Sequence, residues 1–251
     1  MTRIIMIGCN GRMGQMISGI VAEDEQTQIV AGVDIVDNRD NGYPVFTDID
    51  ACDVEADVII DFSSANEFEK RMDYAVRTNT PIVECSTGMS EEQIAYMNET
   101  AKKVAVLKSA NMSLGINLLI KMLKEAAQKL CVEGFDVEIV EQHHNKKLDA
   151  PSGTALALAD SVNEAMDNQF EYVYDRSQVR QQREKKELGI SAVRGGTIVG
   201  DHEVIFAGND EVITFKHTAY SRAVFAKGSV TAAKFLNGKA AGMYDMADVL
   251  L

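Results

Sequence analysis

Up to about residue 110, short apolar runs alternate with stretches of helical period. The runs at 3–7, 28–33, 58–62, 81–85 and 104–107 predict strands, and the segments at 11–22, 64–77 and 90–102 predict amphipathic helices. Two of these helices open on a capping-box pattern, Ser64 with Glu67 and Ser90 with Gln93. Strands and helices alternating in this way predict an α/β fold with a doubly wound parallel sheet covered on both faces.

Beyond that point the rhythm changes. Residues 116–130 set Ile116, Leu119, Ile120, Leu123, Ala126 and Ala127 on one face of a longer helix. A strand is expected over 135–140, then a helix over 151–166 with Pro151 at a tolerated early position. Residues 171–189 show little apolar period, and the basic residues from Arg176 to Lys186 read as a solvated loop. Two alternating runs, 197–206 and 211–217, predict strands of one antiparallel sheet, and 223–236 a closing helix. The picture is a nucleotide-type domain followed by a second, α+β domain, with a return to the first left open.

Composition narrows the function classes. The 251 residues are 46% hydrophobic and 25% charged, which suits a globular chain. With 25 Lys and Arg against 38 Asp and Glu the net charge is −13, a field that repels nucleic acid on average. Cys9, Cys52, Cys85 and Cys131 are far apart and form no C-x-x-C pair, so free thiols and a cytoplasmic location are expected. No stretch reaches the roughly 18 apolar residues of a membrane helix, and the N-terminus lacks a secretory pattern.

The first strand runs into Gly8-Cys9-Asn10-Gly11-Arg12-Met13-Gly14, which opens a helix. Glycines there let backbone approach a pyrophosphate, and the helix start offers free N–H groups. Asn10 stands where the usual fingerprint has its second glycine, a position its tolerance of left-handed backbone would allow. Asp34 ends the second strand, where an acidic side chain grips the ribose 2′-hydroxyl of NAD. Ile35 follows in place of an arginine, so NADH is favoured over NADPH, with Arg39 near enough in sequence to keep NADPH open.

The densest polar stretch runs from Glu141 through His143, His144, Lys147 and Asp149 to Ser152, Gly153 and Thr154. Adjacent histidines on a strand face opposite ways, and no third ligand stands at zinc spacing, so no metal site is expected. The helix start at Ser152, Gly153 and Thr154 suits a carboxylate, Lys147 adds a charge beside it, and a histidine can supply a proton near neutral pH.

These residues resemble a known family. Residues 138–155 are similar to the dihydrodipicolinate reductase signature E-x-x-E-x-H-H-x-x-K-x-D-A-P-S-G-T-A, as are the glycine turn, Ser109-Ala110-Asn111-Met112-Ser113 and Ser221-Arg222. The resemblance implies a dinucleotide-binding domain from 1–113 and 222–251, with a substrate and oligomerisation domain, 114–221, inserted into it. It implies reduction of 4-hydroxy-tetrahydrodipicolinate by NADH or NADPH with loss of water, and a homotetramer. By the same resemblance His143 is the proton donor and acceptor and Lys147 the second proton donor, and His144, Gly153 and Thr154, beside Ser152, hold the carboxylates of a small dicarboxylate. The cofactor contacts it implies are Gly8, Cys9, Asn10, Gly11, Arg12, Met13, Asp34, Cys85, Ser86, Thr87, Ser109, Ala110, Asn111 and Met112. Where the family commonly has Gly-Thr-Thr-Gly this chain has Cys85-Ser86-Thr87-Gly88 after Glu84, which puts a thiol where the nicotinamide approaches. Hinges are expected near 112–114 and 220–222. Two other readings stay open: a dehydrogenase for another imino or keto acid, and a non-catalytic dinucleotide-binding sensor.

Overall fold

A computed structural model describes residues 1–250, and the chain divides into two compact units. The first unit is Met1–Ser113 with Ala223–Leu251, and the second is Leu114–Arg222.

In the first unit the elements run β1 (Thr2–Ile7), α1 (Arg12–Ala22), β2 (Thr27–Val33), β3 (Val45–Phe46), β4 (Val58–Asp61), α2 (Phe68–Thr78), β5 (Ile82–Glu84), α3 (Glu91–Ala101) and β6 (Ala105–Lys108). Their strands form one parallel sheet, which β12 joins at its β6 edge. Ile4 to Ile7 and Val58 to Ile60 are buried on both faces, as strands sandwiched between helix layers must be. One layer sets Phe68 and Met72 of α2 and Met97 of α3 over Ile5, Ile59, Ile82 and Val106. Each such side chain taken from water contributes roughly 1.5–3 kcal/mol.

The second unit runs α4 (Leu114–Leu130), β7 (Asp136–His143), α5 (Gly153–Glu164), β8 (Glu171–Tyr174), β9 (Glu187–Arg194), β10 (Gly200–Ala207) and β11 (Val212–Ala219). Its sheet has the order β11-β10-β7-β9-β8. Strands β7 and β10 bury every second residue, and their buried face packs Val137, Ile139, Val204 and Phe206 against Leu119 and Leu123 of α4 and Leu158 and Val162 of α5.

The chain then returns to the first unit as α6 (Ala223–Leu236), β12 (Gly242–Tyr244) and α7 (Met246–Val249). Helix α6 lies against β1, β4, β5 and β6 beside α1, through the buried small residues Ala226, Gly228, Ser229, Ala232 and Ala233. A Cβ at Gly228 would stand 1.6 Å from the Met112 carbonyl oxygen, so only glycine fits there.

Several expectations are corrected. Helix α2 begins at Phe68, not at residue 64: Arg71 donates to the carbonyls of Ser64 and Asn66, and Glu67 sits at φ +55 with no capping bond. Pro151 precedes the N-cap Ser152 of α5 and is outside the helix, joined to Ala150 by a cis peptide bond. The supposed loop at 171–189 contains β8 and the start of β9, and both run parallel to their neighbours, so the sheet is mixed rather than antiparallel. Arg183 is not solvated either: it pairs with Asp136 at 2.7 Å and Glu138 at 2.8 Å. No helix among the described residues is long and apolar enough to cross a membrane.

Candidate functional site

The functional candidates form two groups, one in each unit. In the first unit they gather at the carboxyl ends of β1, β2, β5 and β6. Gly8 turns the chain at φ +78, and a Cβ at Gly14 would meet the Gly8 carbonyl oxygen at 2.2 Å, so α1 packs against the turn only through glycine. Helix α1 has Gly11 as its N-cap, no side-chain cap and no acidic residue in its first turn. Its first N–H groups, at Arg12 and Met13, therefore have no side-chain cap, the arrangement in which a helix start is available to an anion.

Asn10 does not use left-handed backbone, contrary to the expectation above. Its N–H donates to Asp34 Oδ2 at 2.8 Å, its Nδ2 to the Val36 carbonyl at 2.6 Å, and its Oδ1 accepts from Asn41. The Asp34 carboxylate also accepts from the Ile35 N–H at 2.8 Å, while the Ile35 side chain is 87% exposed. A cavity of about 210 Å³ lined by Gly8, Val33, Asp34, Ser63, Lys70 and Arg71 opens beside this turn. Its two cations are already engaged, Lys70 with Asp48 at 2.6 Å and Arg71 with Asp61. Buried Cys9 fills the space beside Gly32, and burial pushes its thiol up to about 11.

Residues 85–88 leave β5 next to residues 109–112, which leave β6. The Cys85 side chain turns away from the turn: Sγ is 3.8 Å from Ser229 Oγ on α6, and burial pushes the thiol far above its ordinary range. Ser86 is buried, Thr87 exposed, and Gly88 sits at φ +78. Ser113 N donates to Asn111 Oδ1 at 2.8 Å, which shapes the exit of Ser109, Ala110, Asn111 and Met112.

In the second unit the site begins at the end of β7. Residues alternate there, so Ile139, Glu141 and His143 share the buried face and His144 falls just past the strand. Glu141 is fully buried. It accepts from both Nη atoms of Arg194 at 2.7 and 2.6 Å, from Ser152 N at 3.0 Å, and faces His143 Nδ1 at 2.6 Å. An ionised carboxylate only accepts, so Nδ1 carries the proton of the neutral ring and Nε2 keeps a free lone pair. Gly200 faces that nitrogen, since a Cβ there would stand 3.0 Å from it.

The ionisation states follow from these contacts. Burial opposes ionisation of Glu141, but Arg194, His143 and the Ser152 N–H outweigh it and bring its pKa below the ordinary value. Burial lowers the His143 pKa; Glu141 opposes that shift, and the positive charges of Lys147 and Arg194 add to it. His202, edge-on to the His143 ring at 5.2 Å, is brought down to about 4 by burial and by His143.

Lys147 Nζ is 2.8 Å from Asp149 Oδ1. Burial works against the Asp149 charge, yet Lys147 and the Gly153 N–H hold its pKa below the ordinary value. Thus Lys147 already pairs with a carboxylate, the Asp149 side chain, beside the start of α5, much as a carboxylate ligand would be held. Ser152 is committed elsewhere: its N–H goes to Glu141, and its hydroxyl caps Ala155 N and meets His202 Nε2, both at 3.1 Å. Glu141 thus links His143 to Ser152, and Asp149 pairs with Lys147; Gly153 and Thr154 follow Ser152 on α5, and His144 is joined through its carbonyl to Lys147 N.

Sequence reasoning gave no role to Glu141, Arg194, His202 or Asp149. Glu141 was findable, because period two puts it beside His143. Arg194 and His202 reach the site through strand pairing that no local pattern shows. Among the described residues no cluster of three or more His, Cys, Asp and Glu groups is arranged to hold a metal ion.

Comparison with known proteins gives a consistent result. Residues 2–112 match the family described as dihydrodipicolinate reductase, N-terminus, and residues 115–250 its C-terminus. A 4-hydroxy-tetrahydrodipicolinate reductase of Caldanaerobacter subterraneus subsp. tengcongensis is 48% identical over 250 residues, covering 100% of this chain and 98% of that protein. One from Clostridium tetani is 46% identical over 246 residues, covering 98% and 96%. In fold, the chain is similar to a dipicolinate-bound dihydrodipicolinate reductase from Paenisporosarcina sp. TG-14, with a TM-score of 0.81, 24% identity and full coverage of both chains.

Proposed function

The chain belongs to the dihydrodipicolinate reductase family, and from that premise we propose how its two site groups divide one reduction. It reduces 4-hydroxy-tetrahydrodipicolinate, the activity its relatives' names state of them, and the product is tetrahydrodipicolinate in lysine and diaminopimelate biosynthesis. A nicotinamide dinucleotide supplies the hydride when bound. The uncapped start of α1 and the Gly8 turn fit its pyrophosphate, Asp34 its ribose, and residues 85–87 and 109–112 its nicotinamide end. NADH is the favoured form, because Asp34 is a carboxylate, Ile35 offers no charge, and the cations lining the adjacent cavity are already paired.

The observation that carries the mechanism is the Glu141–His143 pair. Glu141 holds His143 by Nδ1, so Nε2 is the atom that moves a proton to the substrate. Lys147 is the second proton donor. Its charge and the α5 N-terminus at Gly153 and Thr154, with His144 beside them, hold the two carboxylates of the substrate; Ser152 serves by capping that helix. The low pKa of His143 leaves it neutral at pH 7 before substrate arrives. Two carboxylates placed next to it raise its proton affinity, so the site takes up its proton as substrate binds.

The chain forms a homotetramer through the mixed sheets, where Val193, Val212 and Ile213 leave apolar surface exposed. Its four free cysteines suit a reducing cytoplasm. The test of function is cofactor oxidation with enzymatically generated substrate and a panel of imino and keto acids. Turnover confined to the dipicolinate precursor, faster with NADH, is expected; turnover with another acid alone overturns the reading.

A further inference from the structure

Strand β5 ends on a carboxyl group that the proton-transfer chemistry leaves unused. Glu84 is fully buried, and its register partners are Asp61 on β4 and Lys108 on β6. All three continue the sheet face of Ile59, Ile82 and Val106, which α2 and α3 cover. A buried strand calls for an apolar side chain there, because an unpaired carboxyl group costs free energy.

The side chain is engaged with the turn that follows it. Glu84 Oε1 accepts the Ser86 N–H at 2.7 Å and the Ser86 hydroxyl as well, and Lys108 Nζ donates to the Ser86 carbonyl at 2.6 Å. Ser86 is 1% exposed and lies in no helix or strand, so its N–H, hydroxyl and carbonyl all depend on these two side chains. Asp61 is occupied differently, by Arg71 and by the Ser63 N–H at 2.8 Å. Glu84 Oε2 is buried with no hydrogen-bond partner.

We propose that Glu84 is a positioning residue for the cofactor: with Lys108 it shapes the turn 85–88 that meets the nicotinamide. This rests on the functional reading above, which places the nicotinamide at that turn.

A pH signature supports a test. Burial and the neighbouring Asp61 charge push the Glu84 carboxyl up to about 7, against the pull of Ser86 and Lys108. The charged or titratable groups around it are Asp61 with its partner Arg71 from α2, Lys108 from β6, and the Cys85 thiol, which faces Ser229 of α6. From α3 the covering residues are the apolar Met97 and Ala101. The ionised carboxyl grips Ser86 by charge-assisted bonds, roughly twice as strong as neutral ones, so the turn tightens as pH rises through neutrality.

The experiment is NADH titration by fluorescence, from about pH 6 to about pH 8, with wild type, Glu84→Gln and Glu84→Ala. Wild-type affinity is expected to rise by about fivefold over that range beyond any change in Glu84→Gln, which keeps the acceptor but does not titrate. Glu84→Ala is expected to bind more weakly at every pH, while dipicolinate affinity, read on the same samples, stays unchanged in both variants. The same pH step in wild type and Glu84→Gln overturns the proposal, as does wild-type NADH affinity in a folded Glu84→Ala. Absence of NADH and NADPH binding by wild type overturns it too, and in that case the functional reading falls with it.

Discussion

His143 Nδ1 stands 2.6 Å from Oε2 of Glu141, and the same carboxylate is gripped on both oxygens by Arg194. A single buried charge therefore fixes the ring proton of His143, anchors β9 to β7 and receives the N–H of the residue that caps α5. Glu141→Gln keeps the shape but no longer selects the tautomer or neutralises Arg194. Turnover is expected to fall by about tenfold or more with a smaller change in KM, read from steady-state kinetics. The pH profile should shift as well, because the carboxylate raises the His143 pKa.

Histidine 202 titrates against the fold. Its pKa is about 4 in the folded chain against an ordinary 6.5, and it is 4% exposed. A group with a depressed folded pKa contributes stability that is present above pH 6.5 and lost as pH falls through about 4. The loss over that window is about 3 kcal/mol. His202→Gln is expected to lose markedly less between those two pH values, measured by urea unfolding midpoints.

Asp149 occupies Lys147 Nζ, a group assigned to a substrate carboxylate, and the Gly153 N–H nearby favours its charge. Asp149→Asn removes the competing charge, so dipicolinate should bind several-fold tighter by calorimetry. Weaker binding would instead show that Asp149 is needed to hold Lys147 in place.

Asp34→Ala is expected to weaken NADH more than NADPH, because only the unphosphorylated ribose benefits from a carboxylate there. It also removes the acceptor of the Asn10 N–H, so a loss shared equally by both cofactors would assign Asp34 to shaping the turn alone.

Much of the fold was legible in local pattern, and its failures have physical causes. The Ser90–Gln93 capping box is formed, and the helix expected over 223–236 is α6. The matching box at Ser64 and Glu67 misled, because the Arg71 guanidinium takes the carbonyls that a longer helix would have used. Strand β9 was hidden because its neighbours are polar: Glu187 pairs with Arg176, and Gly189 lies where a Cβ would come within 1.8 Å of Glu138 Oε2. Arg183 read as solvent-exposed because its partners Asp136 and Glu138 lie on β7, far away in sequence. The candidate residues His143, His144, Lys147, Ser152, Gly153 and Thr154 stand in one continuous stretch, so the cluster shows in the sequence, while their separate roles came only from the family resemblance. Arg194 and His202 arrive from β9 and β10 and do not show there.

In the proposed mechanism His143 transfers a proton during hydride reduction of the dipicolinate precursor. The most direct measurement compares NADH oxidation by wild type and His143→Ala on enzymatically generated substrate, with NADH affinity measured in parallel. Rapid oxidation by wild type and a loss of about 10²- to 10⁴-fold in the variant at unchanged NADH affinity are expected. Equal rates in the two proteins, or a loss explained wholly by weaker NADH binding, would contradict that mechanism.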